Sequence, residues 1–269
     1  MIKRNFTSAA LIAAGMLVAA NMAQAIVVDL EHMDSGSAGG PAPALFFETD
    51  TQPTGTGYID PFLRIQANGT EQGYNTSGRI GAQAPFDDKT DPNFTRNIQF
   101  SDLACSAVTI AGTSYYTFLL DVNEPGGSKS IITLDKLQIY TSAVGSQTTT
   151  NIMSLGTLRY DLDANGDNQV RIDASRNHGS GSGDVYIYIP TANFAGTAPT
   201  DYVYLYALFG QADTMQNPDG TQGGFEEFAV VCNVTPVPEM SALFPIVGLM
   251  VAVGSTHILR RRKLAQASV

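Results

Sequence analysis

From residue 26 to residue 236 the chain never sustains the 3.6-residue period of a helix. It offers instead a series of short runs rich in Val, Ile, Tyr, Phe and Thr: AIVVDLEHM, GYIDPFLRIQ, RNIQFSDL, SYYTFLLDV, IITLDKLQIY, LGTLRYDLD, NQVRID, DVYIYIP, DYVYLYALF and FEEFAVVCNV. Gly, Pro, Asn and Ser punctuate them. Runs of this length and composition, bounded by turn residues, read as β-strands. A sheet with an apolar face must bury it, and with no helix available the cover is a second sheet. The expectation is an all-β body over 26–236, a β-sandwich or jelly roll. SGSAGGPAPA opens a stretch, 35–56, whose small residues and prolines predict a flexible loop.

The two ends are different in kind. Lys3 and Arg4 precede an apolar run, Ala9 to Ala20, that is too short to span a bilayer, and Ala23-Gln24-Ala25 supplies small residues where a signal peptidase reads. That pattern predicts a secretory signal peptide over 1–25 and a mature chain beginning at Ile26. At the other end, 241–259 contains no Asp, Glu, Lys or Arg. As a helix it would extend about 28 Å, close to the ~30 Å of a hydrocarbon core, which predicts a transmembrane helix. Arg260, Arg261, Arg262 and Lys263 follow at once. Excess cations mark the cytoplasmic flank of a span. Both ends therefore predict one orientation, with the basic tail (260–263) inside and the body outside.

Val237-Pro238-Glu239-Met240, followed by an apolar span and a cationic cluster, resembles the PEP-CTERM sorting signal of exported bacterial proteins. Met240 stands where the usual V-P-E-P core has its last proline. The resemblance implies that 237–269 is a sorting signal, and that signal peptidase and an exosortase-like processing enzyme act on the chain. It also implies that the C-terminal helix occupies the inner membrane at least transiently, before the protein reaches the cell surface or extracellular matrix. Within the body, GTGYIDPFLRIQANGTEQGYNTSGR, FTRNIQFSDL, YDLDANGDNQVRID, GSGSGDVYIYIP and GGFEEFAV are similar to a domain that recurs in PEP-CTERM proteins. That second resemblance spans most of 55–231 and implies an exported β domain, with no functional residue to carry over.

Charge narrows the partners. The body holds nine Lys and Arg against twenty-four Asp and Glu, a net charge of −15. A field of that sign repels nucleic acid and anionic lipid. Its two cysteines, Cys105 and Cys232, make an even count, which in an oxidising compartment predicts one disulfide.

Chemistry is thinly signalled. DLDANGD places Asp161, Asp163, Asn165 and Asp167 at alternate positions with Gly166 at the sixth, the first half of a calcium loop, but Ile172 occupies the twelfth position where an EF-hand needs Glu. The same stretch also reads as a hairpin. A three-residue loop, Asn165 to Asp167, would oppose Leu162 to Val170, Tyr160 to Ile172 and Asp161 to Arg171. Tyr186 and Tyr188 share one strand face, and Tyr202, Tyr204 and Tyr206 share another. If those two strands pair, the five tyrosines form a platform on which a polysaccharide could stack. Catalysis lacks a constellation: the body's histidines, His32 and His178, sit in or beside Gly- and Ser-rich stretches, and the neighbours Glu226 and Glu227 must point to opposite faces of a regular strand. The expectation is a non-catalytic exported surface or matrix protein. The alternative is a carbohydrate-binding module, with or without the assistance of calcium.

Overall fold

The computed structural model describes residues 25–40, 42–49, 59–177, 183–211 and 220–232. The expected signal peptide (1–25), sorting motif (237–240), membrane span (241–259) and basic tail (260–263), and His178, lie outside these residues, apart from Ala25. The strands, in chain order, are β1 (Val27–Asp29), β2 (Ser35–Ala38), β3 (Ala44–Glu48), β4 (Pro61–Ile65), β5 (Asn68–Gly69), β6 (Glu71–Tyr74), β7 (Ile98–Gln99) and β8 (Ala107–Ile110). They continue with β9 (Thr113–Val122), β10 (Ile131–Ser142), β11 (Thr157–Asp161), β12 (Gln169–Asp173), β13 (Val185–Pro190), β14 (Tyr202–Phe209), β15 (Thr221–Gln222) and β16 (Glu226–Val230). The helical elements among the described residues are short 3₁₀ turns, and none is long and apolar enough to cross a membrane.

The all-β expectation holds. One sheet runs β1-β12-β10-β14-β6, with β11 on β10 and β7 on β14; the other runs β2-β3-β13-β9-β16-β4, with β8 on β9. β5 and β15 form a separate two-stranded ribbon. β1 joins β12 in parallel, so the first sheet is mixed rather than wholly antiparallel as in a jelly roll. Alternation sends Phe118, Leu120 and Val122 of β9 and Val203, Leu205, Ala207 and Phe209 of β14 into one shared core between the sheets. In β10 both Leu134 and Leu137 reach that core although they are three residues apart. A bulge makes this work: Leu134 faces Phe209 and Lys136 faces Leu208, leaving Asp135 as the extra residue that resets the phase. Its Oδ2 accepts the Gln211 N–H at 2.6 Å.

Two expectations need correction. The first is the flexible loop over 35–56, whose described part carries β2 and β3, paired from Ser35–Phe47 to Ala38–Ala44. Small residues here answer to close packing. A Cβ on Gly36 would lie 2.6 Å from Val28 Cγ1, and one on Gly39 2.6 Å from the Tyr160 hydroxyl. That hydroxyl in turn donates to the Ala38 carbonyl at 3.0 Å.

The second is the hairpin. β11 and β12 do not pair with each other. Both run antiparallel to β10 along the side opposite β14: Asp161 faces Gln138, whereas Arg171 faces Thr133. They are two halves of one interrupted strand, and Leu162 to Asn168 is an excursion between them. Arg171 is ion-paired with Glu31 and so is not opposed to Asp161. The apolar pattern fits both arrangements, because Tyr160, Leu162, Val170 and Ile172 are buried in each; the third strand decides.

Candidate functional site

The Asp-rich excursion is held by its own polar groups. Asp161 Oδ1 accepts the Asp163 N–H at 3.1 Å, and Asp163 Oδ1 accepts the Asn168 N–H at 3.0 Å. Asp163 Oδ2 takes the Lys136 ammonium at 3.1 Å. Buried Asn168 ties the excursion to the start of the body: its Nδ2 donates to the Leu162 carbonyl at 2.6 Å and its Oδ1 accepts the Ile26 N–H at 2.8 Å. Asn165 reaches the Gly39 carbonyl at 3.4 Å, and Asp167 is exposed. The loop therefore tethers β1, and a lysine already neutralises the carboxylate at its centre. Among the described residues, the three acidic or imidazole side chains that converge closely enough for an ion are Asp29, Glu31 and His32. There His32 Nδ1 lies 2.9 Å from Asp29 Oδ2 and 3.7 Å from Glu31 Oε2, on the surface, with Glu31 also engaged by Arg171.

The five tyrosines alternate as expected but do not form one platform. β13 lies in one sheet between β3 and β9, and β14 lies in the other between β10 and β6. Tyr204 and Tyr206 are buried with Tyr74 and Tyr140 beneath a covering segment, which Tyr202 and Phe86 flank. That cover is the connection from β10 to β11, residues 143–156, and two hydroxyls pin it: Tyr204 donates to the Val144 carbonyl at 2.8 Å, and Tyr74 reaches the carbonyls of Gln147 and Thr149 at 3.1 and 3.0 Å. Tyr206 instead donates to Gln72 of β6, within its own sheet, at 2.7 Å. Burial pushes the Tyr206 hydroxyl up to about 12. On the other sheet Tyr188 is buried against Val108 and Tyr115, while Tyr186 stands half-buried directly opposite Phe47.

The carboxylates give the most unusual geometry. Glu226 and Glu227 do point apart, as strand alternation requires. Glu227 turns to Arg64, whose Nε and Nη2 both lie 2.6 Å from its Oε1 and whose guanidinium stacks 3.4 Å from the Phe94 ring centroid. Glu226 turns the other way, toward Glu71 of β6, and the two carboxyl groups act directly on each other. Both residues are 0% exposed. Glu71 Oε2 accepts the Ala67 N–H at 2.7 Å. Burial, together with the acids around it, pushes Glu226 well above the ordinary carboxylate range, and burial raises Glu71 too. Glu71 was missed from sequence because a lone Glu in TEQGY carries no signal that its partner lies more than 150 residues away in another sheet. The pair is sealed from substrate, so it is not an exposed acid–base site.

A further buried acid, Asp88, borders a shallow depression of about 460 Å³ lined by Gln83, Phe86, Asp87, Lys89 and Thr90. Burial raises its carboxyl to about 6.

Cys105 and Cys232 form a disulfide, with Cα atoms 4.8 Å apart and a sequence separation of 127. It links the 3₁₀ turn ahead of β8 to the end of β16, an inner strand held between β9 and β4. Comparison with family models, with curated proteins and with solved structures finds no match to this chain.

Proposed function

We propose that the chain is a non-catalytic exported protein of the cell surface or extracellular matrix, a disulfide-closed β-sandwich delivered through a PEP-CTERM-like C-terminal signal. The observation that carries this reading is the Cys105–Cys232 bond. Such bonds persist in oxidising compartments and are rare in the reducing cytosol. Cys232 lies five positions before Val237, so the covalent closure sits where the body gives way to the sorting segment. Tension on the tail would load a cross-linked inner strand rather than a free end. On this reading the signal peptide is removed before Ile26, the 241–259 span holds the chain in the inner membrane, and Arg260 to Lys263 keep its end inside. Fractionation of producing cells tests it. The oxidised body should be found outside the inner membrane, and a cytoplasmic pool carrying two free thiols would overturn the reading.

A carbohydrate-binding role is the second reading, now supported by the Phe47–Tyr186 pair rather than by five tyrosines. Half-buried aromatics directly opposed across β3 and β13 give a sugar ring an apolar surface to pack on. Glycan-array binding that Phe47→Ala removes would favour it.

A further inference from the structure

Glu71 and Glu226 belong to different sheets. β6 is the end strand of the first sheet's path, and β16 is an inner strand of the second. Period-two alternation places Glu226 on the face of Phe228, inside the sandwich. The ribbon of β5 and β15 leads directly into the two strands, so it closes over the pair. Glu71 Oε1 and both oxygens of Glu226 are buried with no hydrogen-bond donor among the described residues. Two fully buried carboxylates set against each other cannot both stay charged. Either a proton or a cation must sit between them. A calcium ion needs six to eight oxygen ligands. No third acidic or imidazole side chain converges on this pair among the described residues. The proton is the simpler occupant and requires nothing further from the fold.

We propose that Glu71 and Glu226 share one proton and act as a pH-sensitive latch that joins the two sheets beneath the β5–β15 ribbon. Glu226 donates, and Glu71 accepts with one oxygen while holding the Ala67 N–H with the other. The surroundings favour retention of the proton. Glu124 and Asp121 face Glu226 from the end of β9 and beyond it, and Asp87 faces Glu71; all three are acids, against the cation Lys89 near Glu71. Glu124 is itself held by the Gln222 N–H of the ribbon at 2.9 Å. Loss of the shared proton would set two buried anions against each other and push the ribbon off the end of the sandwich.

The sign is fixed by where the proton binds more tightly. A carboxyl raised above its ordinary value of 4.5 contributes stability that is complete below that pH and is lost as pH rises through the folded-state value. One proton changes the folding equilibrium constant by up to about tenfold per pH unit within that window. The test uses the oxidised protein as isolated, and compares wild type with Glu226→Gln and Glu71→Gln between pH 5 and pH 9. An amide keeps the hydrogen bond and removes the titration. The latch predicts that wild type loses thermal stability with rising pH more steeply than either variant, and that corrected hydrogen-exchange protection at Ala67 and Gln222 falls with pH in wild type alone. Parallel pH curves for wild type and both variants would overturn it. So would a melting temperature that EDTA lowers in wild type and not in Glu226→Gln, because the occupant would then be a cation.

Discussion

Replacing both cysteines with alanine should cost the body about 5 kcal/mol. Cys105 and Cys232 are 127 residues apart, and in the chain-entropy account closing a loop of that size removes about 5 kcal/mol of unfolded-state freedom at 25 °C. Local packing adds little, because Cys105 and Cys232 are both exposed and no core contact is lost with them. The loss should therefore act mainly on the unfolded state, leaving the native sheets as they are. Stabilities of globular proteins lie near 5–15 kcal/mol, so a loss of this size takes away a large share of the total. Denaturant unfolding of oxidised wild type, reduced wild type and Cys105→Ala/Cys232→Ala gives the comparison. The reduced protein and the double variant should agree with each other and fall well below oxidised wild type. A double variant within about 1 kcal/mol of oxidised wild type would refute the loop-closure argument.

Three further outcomes follow from the geometry. Asp88→Asn should stabilise the protein at pH 7 and flatten its pH dependence: a carboxyl raised from 3.8 to about 6 forfeits up to about 3 kcal/mol as pH rises between those values, and the variant's stability curve against pH should lack that fall. Tyr204→Phe removes the bond to the Val144 carbonyl and should cost about 0.5–1.5 kcal/mol, with faster hydrogen exchange confined to the segment that covers the first sheet. Millimolar calcium should leave the melting temperature unchanged, since Lys136 already neutralises Asp163; a marked rise that Asp163→Asn removes would place an ion in the Asp-rich excursion instead.

Most strands were legible from composition and punctuation. Long central strands such as β9 and β10 stand out because they are largely buried and rich in β-formers. The strands that escaped were β2, β3, β5, β6, β8 and β15, none longer than five residues: β2, β5 and β15 are rich in Ser, Gly, Asn, Gln and Thr, and apolar β3 lies in a stretch whose Gly and Pro predict a loop; their place is set by neighbours, as when Gly36 lets β2 approach Val28. Face assignment succeeded, because alternation is local. Partner assignment did not, because it is a long-range property. Tyr186 and Tyr204 were rightly placed on their own faces, but the strand pairing that would join them is absent because β13 and β14 lie in different sheets; Tyr160, Leu162, Val170 and Ile172 kept their burial while the hairpin gave way to an interrupted strand on β10. Glu226 was read as turning away from Glu227, but its meeting with Glu71 depends on the contact of two sheets, which no local pattern encodes.

Intact-mass spectrometry of the protein recovered from outside the inner membrane is the sharpest test of C-terminal sorting. A free surface or matrix protein should begin at Ile26, carry the Cys105–Cys232 bond, and end near Pro238-Glu239-Met240 with the apolar span and the four cations removed. Deleting Arg260 to Lys263 should lower membrane retention and cleavage together. A chain that retains its C-terminus to Val269 in a host with an active exosortase would contradict the sorting account and make the protein a permanent single-span membrane protein.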